Sequence, residues 1–144
     1  MVNATIAKFG YPATHVAETE HWLILLRPQA VTLGSLVLAA KSDATSYGAL
    51  PLAAFADQAV AVARVEAALR ALVSPEKINY LMLMMVDPHV HFHVIPRYSG
   101  SRMFDEAEFA DHGWPGMPDM ANARRLNGVT TKRIIEALGT CGLA

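Results

Sequence analysis

The sequence predicts an α+β fold in which short strands precede and follow one long helix. Two apolar runs, Trp22–Leu26 and Leu33–Leu38, flank the turn-like segment Arg27-Pro28-Gln29 and predict a pair of neighbouring strands. From Pro51 to Leu72 the chain is rich in alanine, and its larger apolar residues trace an approximate helical stripe. Pro51 suits the first helical turn, where a missing N–H costs nothing.

Two strand patterns follow the predicted helix. Ile78–Val86 is apolar on both alternating faces, which predicts a strand that is buried on both sides and lies centrally in the sheet. His89–Ile95 alternates strictly between histidine and apolar residues until Ile95, and we expect Pro96 to end this strand. The alternation places three imidazoles on one face of the sheet.

The last third of the chain is expected to be less regular. Gly113–Asp119 is rich in proline and glycine, which predicts irregular backbone, while Thr130–Leu138 predicts a short C-terminal helix. We find no linker that would divide the chain. The prediction is therefore one domain over residues 1–144, with residues 100–144 as a C-terminal extension.

Composition narrows the class of protein. The chain has 144 residues, 53% of them apolar, which is enough to fill one continuous core. The net charge is −1 and no stretch concentrates Lys or Arg, so neither a nucleic acid nor a membrane is an expected partner. The single Cys141 cannot form an intramolecular disulfide, and the N-terminus lacks the apolar stretch of a secretory signal. We expect a soluble, cytoplasmic protein.

The three alternating histidines His89, His91 and His93 are the candidate catalytic residues. Same-face neighbours in a strand lie about 6.6 Å apart, so the rings could line a groove that holds one phosphate against the middle imidazole. A neutral imidazole can attack phosphorus and carry the phosphoryl group. The flanking rings could donate hydrogen bonds or protons.

Two other interpretations of the same pattern stay open at this point. Three imidazoles on one strand bind zinc in some hydrolases, and Asp87 and His112 could add ligands. That arrangement requires the i and i+2 ring nitrogens to converge to about 2.0–2.1 Å from one ion. The histidines could also simply occupy the wetter face of a strand, although three in five residues is an unusual use of histidine. We assign no metal and no cofactor.

The segment His-Val-His-Phe-His-Val-Ile-Pro-Arg, residues 89–97, resembles the signature of the histidine triad (HIT) family. Its Pro-Arg ending is similar to that of the dinucleoside polyphosphate hydrolase branch. The resemblance extends backward through the predicted strands and helix and covers roughly residues 5–100. It implies a HIT-like antiparallel sheet with helices packed on it, a homodimer, and a nucleotide bound in a cleft beside the triad.

The resemblance also implies roles for individual residues. His91 would attack the α-phosphate and form a nucleotidyl-histidine, while His89 and His93 would position the phosphate and the leaving group. Arg27 stands near the position where the hydrolases carry Asn or Asp for the ribose. Ser35 replaces a nearby histidine after the glycine. We expect both Arg27 and Ser35 to contact the substrate.

Two charged residues beside the histidines are further candidates for substrate binding. Asp87 could orient an imidazole, although an Asp-Pro pair is also an ordinary turn. Arg97 could offset phosphate charge, although an arginine after a strand also commonly pairs with a carboxylate or faces solvent. The loop Val86-Asp87-Pro88 is shorter than the phosphate-contacting loop that precedes the triad in the family.

The predicted function is hydrolysis or transfer of a nucleotidyl group, on a dinucleoside polyphosphate or a nucleoside phosphoramidate, with purine nucleotides as ligands and no required metal. The alternative is a non-catalytic nucleotide-binding regulatory dimer, which the altered positions around the triad would allow. An intact His91 favours chemistry, because binding alone needs no nucleophile.

Overall fold

A computed structural model describes all 144 residues of the chain. Three helices, one short 3-10 turn at Tyr47–Ala49 and nine strands make up its regular structure. In chain order the elements are α1 (Ala4–Lys8), β1 (His15–Glu18), β2 (Trp22–Leu26), β3 (Gln29–Ala30), β4 (Leu36–Ala40), α2 (Leu52–Val73), β5 (Lys77–Leu81), β6 (His91–Arg97), β7 (Ser101–Phe104), β8 (Ala107–Ala110), β9 (Arg124–Arg125) and α3 (Gly128–Thr140).

Five strands form one antiparallel sheet in the order β1-β2-β4-β6-β5. This arrangement, with the long helix α2 and the C-terminal helix α3, confirms the predicted α+β fold. The predicted hairpin is the pair β2 and β4, although its second strand starts at Leu36 because residues up to Ser35 form a turn. Pro51 is the residue before α2 rather than its first residue.

The two faces of the sheet are covered by different parts of the chain. On one face Ala61, Val65 and Leu69 of α2 belong to the main core cluster together with Leu36 and Leu38 of β4. On the other face, a smaller cluster brings Ile6 of α1 against four residues of β2 and β4: Leu23, Leu25, Val37 and Ala39. The N-terminal segment therefore covers the face that α2 leaves open.

The histidines lie on the face that α1 covers. His91 is paired with Ala39 and His93 with Val37 across β4 and β6, and both partners belong to the smaller cluster. Val94, by contrast, belongs to the main core beneath α2. The alternation of side chains along β6 thus separates the candidate site from the main core.

Two predictions about the strands after α2 are wrong. β5 ends at Leu81 and pairs only with β6, so it is an edge strand rather than a central one, and residues 82–86 are irregular. The apolar sequence continues past the end of β5 because residues 82–86 line a cavity and do not extend the strand. Pro96 does not end β6: the strand continues to Arg97, and the Pro96 carbonyl accepts a 2.6 Å hydrogen bond from Thr32 Oγ1.

The C-terminal extension packs into the same core. Ile134 and Leu138 of α3 and the following Leu143 join the cluster beneath the sheet, and Asn127 caps α3 by accepting a 2.8 Å hydrogen bond from the Thr130 N–H. The helix extends two residues beyond the predicted range at each end. Residues 113–119 form turns without helix or strand, as predicted. None of the helices combines the length and hydropathy that a membrane span requires.

Arg97 fastens this extension to the sheet and does not reach the histidine site. Its Nε and Nη2 donate to the carboxylate of Asp111 at 2.7 and 3.2 Å, and Nη2 also donates to the Gly116 carbonyl at 2.8 Å. Its Nη1 donates to Asn79 Oδ1 at 2.8 Å. Because the guanidinium is buried and fully engaged, the expectation that Arg97 offsets phosphate charge is wrong.

We predict that Asp111→Asn lowers the free energy of unfolding by about 3–5 kcal/mol, because it leaves the buried guanidinium of Arg97 without a counter-ion. Urea denaturation measures this. Asp105→Asn is the matched control: it removes an exposed ion pair with Arg133 and should change stability by less than about 1 kcal/mol. Equal effects of the two substitutions would contradict the assigned role of Arg97.

Candidate active site

A cavity of about 670 Å³ opens beside His93, whose ring centroid lies 5.1 Å from that of His91. This volume falls in the range of ordinary small-molecule sites, roughly 300–1,000 Å³. Its wall is mostly apolar, with a few charged groups. The lining residues are Lys8, Phe9, Arg27, Met82–Asp87, His93 and Met120. The cavity thus gathers the N-terminal segment, the loop before β6 and one residue of the C-terminal extension.

His91 is held in one tautomer by its neighbour. Its Nδ1 lies 2.7 Å from the main-chain carbonyl oxygen of His89. A carbonyl oxygen only accepts hydrogen bonds, so in the neutral ring Nδ1 carries the proton and Nε2 keeps its lone pair. This Nε2 is buried and has no hydrogen-bond partner. A buried acceptor without a partner costs about 1–3 kcal/mol and is a common mark of a functional group.

The backbone before β6 makes this contact possible. His89 was predicted to lie in the strand with the other two histidines, but β6 begins at His91 and His89 lies in a bend. The His89 N–H donates to Thr5 Oγ1 at 3.3 Å instead of to a neighbouring strand. The His89 carbonyl is therefore also outside the sheet ladder and turns toward the ring two residues ahead.

The environment of His93 disfavours a positive charge on its ring. Burial lowers its pKa from 6.5 to about 4, with further lowering from the positive charge of Arg27 and from His91. The ring is therefore neutral at pH 7. Arg27 Nε donates to His93 Nδ1 at 3.2 Å, and Arg27 Nη1 donates to the Gln29 carbonyl. Burial also lowers the pKa of Arg27 from its ordinary value.

The N-terminal segment closes over the rings. The Phe9 ring centroid lies 5.5 Å from that of His91 and 5.6 Å from that of His93. Next to it, Lys8 Nζ pairs with Asp87 Oδ1 at 2.6 Å, which joins α1 to the loop before β6. Sequence reasoning missed Thr5, Lys8 and Phe9, because they lie about 80 residues from their partners and carry no local motif.

The other predicted site residues divide into two groups. Arg27 and Asp87 line the cavity, although each already has a partner within the protein. Ser35 does not reach it: its hydroxyl is fully buried, donates to the Thr32 carbonyl at 2.9 Å and accepts from the Thr32 N–H at 3.0 Å. Gly34, at φ +81°, closes this turn beneath Leu69, so Ser35 serves the turn rather than a substrate.

The arrangement provides a nucleophile flanked by polar rings. A neutral imidazole with a lone pair at Nε2 can attack an electrophilic centre, and a neighbouring N–H can stabilise or protonate a leaving group. The structure places no three His, Cys, Asp or Glu side chains where they could share a metal ion. The imidazoles themselves can supply nucleophilic and acid–base chemistry.

Comparisons with known proteins find several solved structures with a similar fold. Solved structures that are similar include a histidine triad protein from Sinorhizobium meliloti, with 18% identity, TM-score 0.76 and coverage of 97% of this chain and 95% of that one. Another is a histidine triad protein from Bradyrhizobium japonicum, with 18% identity, TM-score 0.70 and coverage of 97% and 96%. A hypothetical histidine triad nucleotide-binding protein from Sulfolobus tokodaii has 17% identity, TM-score 0.68 and coverage of 95% and 88%. At these identities the likeness shows the fold alone.

No curated protein matches the chain at a significant level. The family model described as the HIT domain matches residues 8–100. This range holds strands β1 to β6, the helix α2 and all three alternating histidines. Because the match extends over more than half of the sequence, the chain belongs to the histidine triad (HIT) family.

Proposed function

We propose that this protein hydrolyses or transfers a nucleotidyl group through a covalent intermediate on His91. The observation that carries the proposal is the state of His91 Nε2, a buried nitrogen that has a lone pair and no partner. A residue that only binds phosphate would present an N–H to the phosphate oxygens. Here the middle ring presents the one atom that can form a bond to phosphorus.

The proposed reaction has two steps. In the first, His91 Nε2 attacks the α-phosphorus, a P–Nε2 bond forms, and the bond from phosphorus to the leaving oxygen or nitrogen breaks. The leaving group accepts a hydrogen bond from the Nε2–H of an adjacent neutral imidazole and takes its proton from solvent. The His91 ring becomes cationic, and the His89 carbonyl that accepts its Nδ1–H stabilises this charge. In the second step, water or another acceptor attacks phosphorus and releases a proton to solvent, and the P–Nε2 bond breaks, which restores the neutral His91 ring.

Access to His91 requires a small movement. Its Nε2 is out of contact with solvent, and the Phe9 ring lies on the same side of the sheet as the two imidazoles. We propose that an entering phosphate displaces the Phe9 side chain, which lies at the edge of the cavity. The displaced ring then remains available to pack against the nucleotide.

The lining of the cavity supports a nucleotide as the ligand. The apolar segment from Met82 to Val86, together with Met120, offers a surface for a base, while Lys8 and Arg27 place positive charge near the triad. A purine nucleotide in a dinucleoside polyphosphate or a nucleoside phosphoramidate combines these features. The related protein from Sulfolobus tokodaii is described as nucleotide-binding. We expect the protein to meet such nucleotides in the cytoplasm.

A non-catalytic regulatory role is the second candidate. Two observations favour it: Phe9 covers the nucleophile, and the Arg27 guanidinium is already bonded to His93 and Gln29. Such a protein would bind nucleotides without turnover. Measurement of turnover with several nucleotide classes separates the two functions directly.

We predict that a nucleotidyl adduct forms on His91. A reaction with α-phosphate-labelled substrate, quenched rapidly in base and mapped by mass spectrometry, should show the adduct because imidazole phosphoramidates survive base better than acid. His91→Asn should abolish turnover while leaving nucleotide binding and thermal unfolding near wild type. His112→Gln, an exposed histidine away from the cavity, is the matched control and should stay active. Wild-type turnover in His91→Asn would rule out this mechanism.

We predict that activity persists after exhaustive chelation, because the attack on phosphorus needs a free Nε2 that a tightly bound metal would occupy. Turnover is measured before and after dialysis against EDTA, with metal content followed by mass spectrometry. Stoichiometric zinc, together with activity lost on its removal and regained on its return, would overturn the metal-free mechanism.

We also propose that the protein is a homodimer. Large apolar side chains are exposed on two parts of the surface: Leu83, Met85 and Val86 follow the edge strand β5, and Leu52 and Val60 lie on α2. Exposed apolar groups of this size commonly lie in interfaces between subunits. Light scattering at micromolar concentration should give twice the mass of the 15.6 kDa chain. A monomeric mass would contradict this assignment.

A further inference from the structure

His89 and His93, the two outer histidines, each form a hydrogen bond through Nδ1 with a residue that lies outside the segment 89–93. For His93 the partner is Arg27, whose Nε lies 3.2 Å from Nδ1. A guanidinium has donors only and stays protonated in proteins, so this Nδ1 must be the acceptor. In the neutral ring the single proton therefore resides on Nε2. The second contact of Arg27, to the Gln29 carbonyl, fixes the guanidinium in this position.

For His89 the partner is Thr5, at 2.8 Å from Thr5 Oγ1 to His89 Nδ1. The same hydroxyl oxygen accepts from the His89 N–H at 3.3 Å, and Thr5 is buried. The hydroxyl proton has no acceptor other than His89 Nδ1. A buried O–H without an acceptor is costly, so Thr5 donates and His89 also carries its proton on Nε2.

The middle ring has the opposite arrangement. The His89 carbonyl takes the Nδ1–H of His91 and leaves a lone pair on Nε2. The triad therefore consists of one ring with a lone pair at Nε2 between two rings with an N–H at Nε2. Three hydrogen-bond partners produce this arrangement of ring protons. They are Thr5 in the N-terminal helix α1, Arg27 in the segment after β2, and the His89 carbonyl in the bend before β6.

We infer that Thr5 and Arg27 are positioning residues that fix His89 and His93 as Nε2–H donors beside the His91 nucleophile. This inference rests on the proposed function for its catalytic consequence. An outer ring with its proton on Nδ1 would have no N–H at Nε2 to donate a hydrogen bond to the phosphate oxygens or the leaving group. Arg27 then acts through His93 and not through the ribose.

Burial supports the assignment for His93. The ring is almost inaccessible, and its pKa of about 4 keeps it neutral at pH 7. In a cationic ring both nitrogens would carry protons and the partner of Nδ1 would not matter. In a neutral ring, the hydrogen-bond partner of Nδ1 determines which of the two nitrogens carries the proton and donates it in a hydrogen bond.

Long-range ¹H–¹⁵N correlation spectra of the imidazoles at pH 7 test the assignment without any need for turnover. The ligand-free wild-type protein should show protonated Nε2 for His89 and His93 and protonated Nδ1 for His91. A proton on Nδ1 of either outer ring would overturn the assignment, whatever the activity. A protein with the expected tautomers that turns over no nucleotide would instead refute the proposed function and leave the assignment in place.

Kinetics of matched variants test the positioning role. Arg27→Met and Thr5→Val remove the donors with little change of shape, and each should lower kcat by ~10²–10³-fold with a smaller change in KM, as expected when a hydrogen bond to the transition state is lost. Arg27→Lys and Thr5→Ser keep a donor and should restore most of kcat. Their thermal unfolding should match that of the wild type.

The split between kcat and KM decides between positioning and ribose binding. If Arg27→Met raises KM and leaves kcat unchanged, Arg27 binds substrate and the inference fails for this residue. If neither Arg27→Met nor Thr5→Val changes kcat, the inference fails altogether. If Arg27→Met does not fold, the NMR spectrum of the wild type and the kinetics of Thr5→Val and Thr5→Ser still test the inference.

Discussion

The hydrogen bond from His91 Nδ1 to the carbonyl oxygen of His89, 2.7 Å long, determines what the triad can do. It depends on a backbone that leaves the sheet ladder just before β6, since a carbonyl within the ladder would point at a neighbouring strand. The bend in turn depends on Thr5, which takes the His89 N–H that the sheet does not use. The reactivity of one ring therefore depends on a contact between two residues that are 84 positions apart in the sequence.

The two faces of the sheet are covered by layers of unequal size, and this difference explains why the site can form on the less covered face. α2 and the C-terminal extension supply most of the core on one face, and they stabilise the fold without help from the histidines. The other face is covered by the N-terminal segment, where Val2, Phe9 and Tyr11 pack on the small cluster that includes Ile6 of α1. The fold tolerates a buried nitrogen without a partner on this face because its main stabilising parts, the main core and the buried Arg97–Asp111 ion pair, lie elsewhere.

The sequence predicts the strands β2, β4, β5 and β6 and the helices α2 and α3 in their chain order, and it identifies the triad, because these features have local periodicity that one can read from neighbouring residues. It leaves out the short elements α1, β1, β3 and β7 to β9. It does not predict the end of β5. A nine-residue apolar run has the length of a strand, and an apolar loop that lines a cavity has the same composition. Ser35 and Arg97 were assigned to the substrate because sequence reveals a polar side chain but not its partner in the fold. Thr5 and Phe9 carry no local signal, and only the folded chain brings them to the histidines.

The central claim of a nucleophilic His91 has a stereochemical consequence at phosphorus. Two successive in-line displacements, first by His91 and then by water, invert the configuration twice, whereas a single attack by water on the substrate inverts it once. Hydrolysis of a dinucleoside polyphosphate with one α-phosphorothioate configuration in ¹⁸O-labelled water gives a chiral product whose configuration can be determined by ³¹P NMR. The mechanism predicts net retention at the α-phosphorus. Net inversion would show that water attacks the substrate directly, and would contradict the assignment of His91 as the nucleophile.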